Sequence, residues 1–120
     1  MGFILRLYLL ICWTAVIFTL LTIPMPPHNV YETTYLDKLV HAVLFGVFAY
    51  LIVFTLTKIK NLNFKAILLI SLVFSASYSL AGEYIQTFIP SRTASELDFL
   101  AGCAGIIIVL FFSYFKYGGR

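Results

Sequence analysis

Four long apolar stretches constrain what this chain can fold into. They cover about residues 3–23, 38–57, 66–88 and 97–115, and each holds about 20 residues. A helix of that length, at about 1.5 Å per residue, crosses a bilayer hydrocarbon core about 30 Å thick. Because lipid offers the backbone no hydrogen-bond partners, such segments have to be helical. The sequence therefore predicts an all-α membrane protein with four transmembrane helices.

The composition excludes a water-soluble domain. The 120 residues are 62% hydrophobic and only 11% charged, whereas soluble domains carry about 25% charged residues. The length allows one domain, residues 1–120. A net charge of +3 could indicate a nucleic-acid partner in a soluble protein. Here the basic residues lie in short loops between apolar stretches, where they set membrane topology, so no nucleic acid is expected.

The first apolar stretch is predicted to be a retained helix rather than a cleaved signal peptide. Arg6 precedes the apolar residues, as it would in a signal peptide. The stretch is long, however, and three prolines follow it without a small-x-small cleavage site.

The basic residues predict how the helices are oriented. With four helices, the N-terminus, the second loop and the C-terminus share one side of the membrane. That side holds six basic residues and the other side holds two, Lys38 and Arg92. The positive-inside rule therefore predicts a multi-pass protein of the cytoplasmic membrane with both termini in the cytoplasm.

Polar residues gather at the predicted outer ends of helices 2, 3 and 4. Ionisable side chains within membrane spans are candidates for function. The candidates for ligand binding are Asp37, Lys38, His41, Glu83, Gln86, Arg92, Ser95 and Asp98.

Local structure offers an alternative explanation for several of these residues. Asp37 follows Thr34 by three positions and Asp98 follows Ser95 by three, a spacing close to that of a helix capping box. His41 follows Asp37 by four positions, so the two share a helix face and the carboxylate can orient the imidazole.

Glu83 is the residue that capping cannot explain. It lies near the C-terminal end of helix 3, where the helix dipole disfavours negative charge. It therefore needs a partner, such as Arg92, Lys38 or His41, or a proton. Gln86 lies three positions later on the same face, and its amide can both donate and accept. A structural ion pair with Arg92 is the alternative to a functional site.

Small residues predict that helices 3 and 4 pack closely together. Ser71, Ser75 and Ser79 recur every four positions and lead to Glu83, and helix 4 carries a similar pair, Ala101 and Gly105. Small side chains let membrane helices approach each other closely.

The polar segments, taken in order, resemble the VanZ-like family over about residues 37–105. The family opens with D-K-x-x-H and continues with G-E-x-x-Q, P-x-R, S-x-x-D and A-N-x-x-G. The corresponding segments here are Asp37-Lys38-Leu39-Val40-His41, Gly82-Glu83-Tyr84-Ile85-Gln86, Pro90-Ser91-Arg92 and Ser95-Glu96-Leu97-Asp98. The chain departs from the family at Gly102, where relatives usually have Asn.

This resemblance implies a single VanZ-like transmembrane domain in the bacterial cell envelope. The family's founding member is associated with low-level resistance to the antibiotic teicoplanin, and the family has no settled catalytic mechanism. No cofactor and no resident metal are expected. The chain's partners would be membrane lipids, while a protein partner or homo-oligomer stays open.

The first hypothesis is a protein that binds or modulates a lipid, a lipid-linked envelope intermediate or a lipoglycopeptide antibiotic. Arg92, Lys38 and His41 would contact an anionic group. A second set, Glu83, Gln86 and Asp98, would position those side chains.

Two other hypotheses remain open. In an intramembrane enzyme, His41 with Asp37 would act as general base and a protonated Glu83 as acid. In a second version of the enzyme hypothesis, the catalytic candidates His41, Glu83 and Asp98 would bind a divalent metal. In a structural or assembly subunit, the same polar residues would only hold helices 2, 3 and 4 together.

Overall fold

The protein folds into four α-helices, each long and apolar enough to cross a membrane. The structure, a computed structural model, describes residues 1–23, 30–89 and 95–118, with the side chains of the second helix described from Tyr35 onward. The helices are α1 (Phe3–Thr22), α2 (Val30–Leu56), α3 (Phe64–Gln86) and α4 (Glu96–Tyr117). The prediction of a multi-pass, all-helical membrane protein is thereby confirmed.

Helix α2 begins earlier than the sequence predicted. Its first residue is Val30, whereas the apolar pattern placed its start near residue 38; the other helix ends agree with the prediction to within two residues. The pattern detects only residues that suit hydrocarbon, and α2 continues beyond that region into a more polar segment. Asp37 therefore lies about two turns inside α2, so the capping explanation offered for Asp37 is wrong.

The four helices alternate in direction. At one end of the bundle, the Gln86 side chain at the end of α3 donates to the backbone carbonyl of Leu21 near the end of α1. At the opposite end, the Arg6 guanidinium near the start of α1 lies 3.6 Å from the centroid of the Phe54 ring near the end of α2. The Lys116 ammonium near the end of α4 reaches the Tyr50 hydroxyl at 3.2 Å.

Helix α2 is the centre of the bundle. It contacts each of the other three helices, and its packing against α4 is the most extensive. A Cβ atom at Gly105 of α4 would overlap the backbone carbonyl of Ala42, so the two backbones are nearly in contact there. On its other side, α2 accepts a hydrogen bond at the Ala49 carbonyl from the Ser71 hydroxyl of α3.

The predicted close packing of α3 on α4 through small residues is therefore only partly right. Gly102 does face α3, because its Cβ would lie 2.8 Å from the Ser79 hydroxyl oxygen. Gly105 faces α2 instead. The sequence argument overlooked the small residues of α2, Ala42 and Gly46, which let α4 approach the backbone of α2 rather than that of α3.

The apolar core is small and the apolar surface is large. Phe45 is fully buried at the centre, where its ring meets the ring of Tyr78 edge-on at 5.9 Å. Large apolar side chains are exposed on all four helices. Such a surface is unsuited to water and suits contact with lipid chains.

Helix α1 is held to the bundle by few buried side chains and by several hydrogen bonds to its neighbours. Ile17 and Leu21 are its buried residues. The Trp13 indole N–H donates to the Leu44 carbonyl of α2 at 2.9 Å, and the Tyr78 hydroxyl of α3 donates to the Thr14 carbonyl at 2.8 Å. These bonds replace interactions that lipid cannot provide.

Replacing Tyr78 with phenylalanine is expected to weaken the docking of α1. In membrane proteins such a hydrogen bond contributes about 0.6 kcal/mol on average and about 1.7 kcal/mol at most. The free energy of unfolding, measured in mixed micelles with increasing SDS, should fall by about 1 kcal/mol. Tyr84→Phe is the control, because Tyr84 is 68% exposed. Equal losses in both variants would contradict the expectation.

Candidate functional site

The carboxylate of Glu83 connects three helices. The residue lies in the last two turns of α3 and is buried, with 7% of its surface exposed. Its Oε1 atom lies 3.0 Å from the Nε2 atom of His41 in α2. Its Oε2 atom accepts a hydrogen bond of 2.8 Å from the backbone N–H of Ser95, immediately before α4.

The contact with Ser95 explains how a carboxylate is tolerated at this end of α3. The start of α4 carries unpaired backbone N–H groups and the positive end of its helix dipole. Glu83 therefore meets the favourable end of α4 although it lies at the unfavourable end of its own helix. The sequence argument considered Arg92, Lys38 and His41 as partners and missed this backbone donor.

The imidazole of His41 is held in one orientation by its own helix. Its Nδ1 atom lies 2.8 Å from the backbone carbonyl oxygen of Asp37. A carbonyl can only accept, so Nδ1 carries the hydrogen. The sequence predicted that the Asp37 carboxylate would orient this ring, but the contact uses the backbone carbonyl one helical turn earlier. The ring's second nitrogen, Nε2, is thereby left for Glu83.

The approach of His41 to Glu83 is close, but the two atoms are poorly aligned. Their 3.0 Å separation is short enough for an ion pair. Neither His41 Nε2 nor Glu83 Oε1, however, has a hydrogen-bond partner of acceptable geometry among the described residues. The two side chains are thus close enough for a charge–charge contact but make no good hydrogen bond, because a hydrogen bond weakens steeply when it is bent.

Asp98 completes a group of three buried ionisable side chains, which we call the acidic-histidine cluster: His41, Glu83 and Asp98. Asp98 lies in the first turn of α4 and is 8% exposed. One nitrogen or oxygen from each member lies within 4.8 Å of the others. Asp37 and Lys38, two further residues of the predicted group, lie about one helical turn before His41 on α2.

The remaining candidates are placed differently. Gln86 is buried, but its described contact is with α1, through the Leu21 carbonyl at 3.3 Å. Ser95 takes part through its backbone, and its hydroxyl makes no capping hydrogen bond at the start of α4. Lys38 is half-buried. Arg92 lies outside the described residues.

Gly102, the departure from the family pattern, lies one helical turn beyond Asp98. It is buried, and a Cβ atom there would lie 2.8 Å from the Ser79 hydroxyl oxygen and 3.2 Å from the Phe45 ring. The space that an asparagine side chain would need is therefore taken by Ser79 and Phe45.

A groove between α3 and α4 lies beside the cluster at the surface of the bundle. Its volume is about 280 Å³ and its wall is almost entirely apolar. Glu83 belongs both to this groove and to the cluster. The lining residues are Leu80, Glu83, Tyr84, Thr87, Ser95, Glu96 and Phe99.

Comparisons with known proteins identify no relative. No protein-family model matches the chain. Searches against curated proteins and against solved structures give no significant match.

Proposed function

We propose that this chain is a VanZ-like protein of the bacterial cytoplasmic membrane that binds a lipid with a phosphate-bearing headgroup. The observation that carries this proposal is the position of Glu83, which is shared by a buried polar cluster and an apolar groove at the surface of the bundle. A lipid has the same division between an apolar chain and a polar end.

The groove suits the apolar part of such a ligand. Leu80 and Tyr84 of α3 face Phe99 of α4 across it. Binding sites for small molecules are commonly apolar, with a few polar groups that set the orientation. An acyl or prenyl chain lying between these residues would place its headgroup near Glu83 and the start of α4.

The headgroup would meet donors and positive charge at this end of the bundle. Lys38 and His41 come from α2, and the start of α4 is a helix N-terminus, which favours anions. Arg92, in the segment of the sequence between α3 and α4, would add a second basic side chain. Glu83, whose carboxylate lies 3.0 Å from His41 Nε2, and Asp98 would position these groups.

The proposed orientation places this site on the outer side of the membrane. Among the described residues, the lysines and the arginine other than Lys38 lie at the opposite end of the bundle: Arg6, Lys58, Lys60, Lys65 and Lys116. That end would face the cytoplasm by the positive-inside rule. Both termini would then be cytoplasmic, and the ligand would be reached from the outer leaflet.

Lipid binding by purified protein tests the proposal. Phosphatidic acid is the probe, and diacylglycerol with the same chains is the control ligand that lacks phosphate. We expect Lys38→Ala and Arg92→Ala each to weaken phosphatidic acid binding about tenfold, or about 1.4 kcal/mol. Lys38→Arg should keep part of the affinity because it keeps the charge.

Lys60→Ala is the matched control, because Lys60 is an exposed lysine at the opposite end. Its affinity should equal that of the wild type. Equal affinity for phosphatidic acid and diacylglycerol, or an unchanged affinity in both Lys38→Ala and Arg92→Ala, would contradict the proposal.

The orientation of His41 favours a second candidate function, that of an intramembrane enzyme. With Nδ1–H bound to the Asp37 carbonyl, the lone pair of Nε2 is free to act as a general base, with Glu83 Oε1 3.0 Å away. Phosphate release from phosphatidic acid would be measured for the wild type and for His41→Gln. Equal release from both proteins would exclude this reaction.

A further inference from the structure

We propose that His41, Glu83 and Asp98 bind a divalent transition-metal ion. The ligands would be His41 Nε2 and one carboxylate oxygen from each acid. This inference goes beyond the lipid-binding function and does not depend on it, because the three side chains would bind the ion whether or not a lipid is present.

The spacing of the three side chains suits a single ion. Nitrogen and carboxylate oxygen ligands lie about 2.0–2.2 Å from Zn²⁺, so two ligands of one tetrahedral ion are about 3.3 Å apart. His41 Nε2 and Glu83 Oε1 are already 3.0 Å apart. The three ligand atoms all lie within 4.8 Å of one another. Small side-chain rotations of the acids would bring all three to one ion.

The histidine is oriented as metal-binding histidines usually are. In such sites the ring nitrogen that does not bind the metal donates its hydrogen to a carboxylate or a backbone carbonyl. His41 Nδ1 makes this contact with the Asp37 carbonyl at 2.8 Å. The lone pair of Nε2 is therefore available on the side where Glu83 lies.

Two buried atoms of the cluster lack a suitable partner within the described parts of the chain. They are His41 Nε2 and Glu83 Oε1, in side chains that are only 3% and 9% exposed. Buried polar atoms are almost always satisfied by protein, water or an ion. A metal ion is attracted to both lone pairs at once, and it does not require them to point at each other.

The charges within the cluster itself also favour a cation. His41 comes from α2, Glu83 from α3 and Asp98 from α4, so two carboxylates lie beside one imidazole. Isolated negative charges are costly where the dielectric is low. A His41–Glu83 ion pair involves only one of the two acids of the cluster, whereas a divalent ion interacts with both.

The ligand types identify the class of ion. Ca²⁺ and Mg²⁺ prefer sites made only of oxygen, while imidazole together with carboxylates suits ions such as Zn²⁺, Co²⁺ or Mn²⁺. Three protein ligands leave a coordination position open. The groove that Glu83 lines would give the ion access from outside the bundle.

Zinc titration of the purified protein tests this proposal. The protein is first treated with a chelator and desalted, and Zn²⁺ binding is then measured by calorimetry. Co²⁺ serves as a second probe, because its visible absorption reports the ligand geometry. We expect one Zn²⁺ per chain and no comparable binding of Ca²⁺. Glu83→Gln and Asp98→Asn, which keep the shape of the side chains, should each weaken Zn²⁺ binding at least tenfold.

Two control variants identify the residues responsible. His28→Ala removes the other histidine of the chain, and Glu96→Gln removes an exposed acid two positions from Asp98. Both should bind Zn²⁺ as the wild type does. Absence of saturable Zn²⁺ binding would overturn the proposal, and so would wild-type affinity in Glu83→Gln and Asp98→Asn or loss of binding in His28→Ala.

The two proposals fail separately. A wild-type protein that binds phosphatidic acid but no Zn²⁺ overturns the metal site and leaves lipid binding in place. Zn²⁺ binding with no preference for phosphatidic acid supports the metal site and contradicts the lipid proposal.

Discussion

Glu83→Ala is expected to destabilise the bundle by about 3–5 kcal/mol, as is typical when one partner of a buried ion pair is removed. The variant loses the contact with His41 Nε2 and the hydrogen bond from the Ser95 backbone N–H. The Ser95 N–H then lacks its partner, His41 loses the carboxylate beside it, and α4 loses a connection to α3. The free energy of unfolding would be measured in mixed micelles with a chelator present, so that metal binding does not contribute.

Glu83→Gln separates the charge of Glu83 from its shape. The amide oxygen can accept from the Ser95 N–H, and the amide NH₂ can donate to His41 Nε2, whose Nδ1 already carries the hydrogen. We therefore expect the free energy of unfolding of this variant to lie within about 1 kcal/mol of the wild-type value, since about 1 kcal/mol is the usual net contribution of one hydrogen bond. The charge would then be present without structural benefit, as is common at functional sites.

The comparison of the two variants decides between a functional site and a structural connection. If Glu83→Gln is as unstable as Glu83→Ala, the negative charge itself holds the helices together. The hypothesis of a structural or assembly subunit is then favoured. Glu96→Ala is the control, because Glu96 is an exposed acid at the same end of the bundle. Its unfolding free energy should match that of the wild type.

Gly105→Val is expected to force α2 and α4 apart. Even a Cβ atom at this position would overlap the Ala42 carbonyl, and backbone atoms cannot move away by changing rotamer. Overpacking commonly costs about 1–3 kcal/mol and occasionally more; we expect about 3 kcal/mol or more here because the obstacle is backbone. Thermal unfolding in detergent would measure the loss.

The same substitution should also affect the acidic-histidine cluster. Ala42 directly follows His41, and Gly105 lies two helical turns after Asp98, so separating the backbones moves His41 away from Asp98. Zn²⁺ affinity should therefore fall together with stability. Ala104→Val introduces the same side chain at the neighbouring, exposed position of α4, and it should change neither property. Equal behaviour of the two variants would show that α2 and α4 are not in close contact.

Much of the architecture could be predicted because it depends on local properties of the chain. The length and apolarity of each stretch determine whether it can span a bilayer, and four such stretches were identified to within two residues except at the start of α2. The start of α2 was misplaced for a related reason. Apolarity shows which residues suit the hydrocarbon region, and a helix can continue beyond that region into a polar segment. Alternating helices also placed Asp37, His41, Glu83 and Asp98 at one end.

The sequence by itself thus determined that there are four membrane helices and that Glu83 requires a partner. Only the tertiary structure decided which partner it has, because that depends on how each helix is rotated about its axis and on which helix lies at the centre. The positions of Ala42 and Gly46 allow α4 to pack against α2, and this packing brings Asp98 to His41. It also presents the Ser95 N–H at the start of α4 to Glu83, a contact between backbone and side chain that no residue pattern encodes.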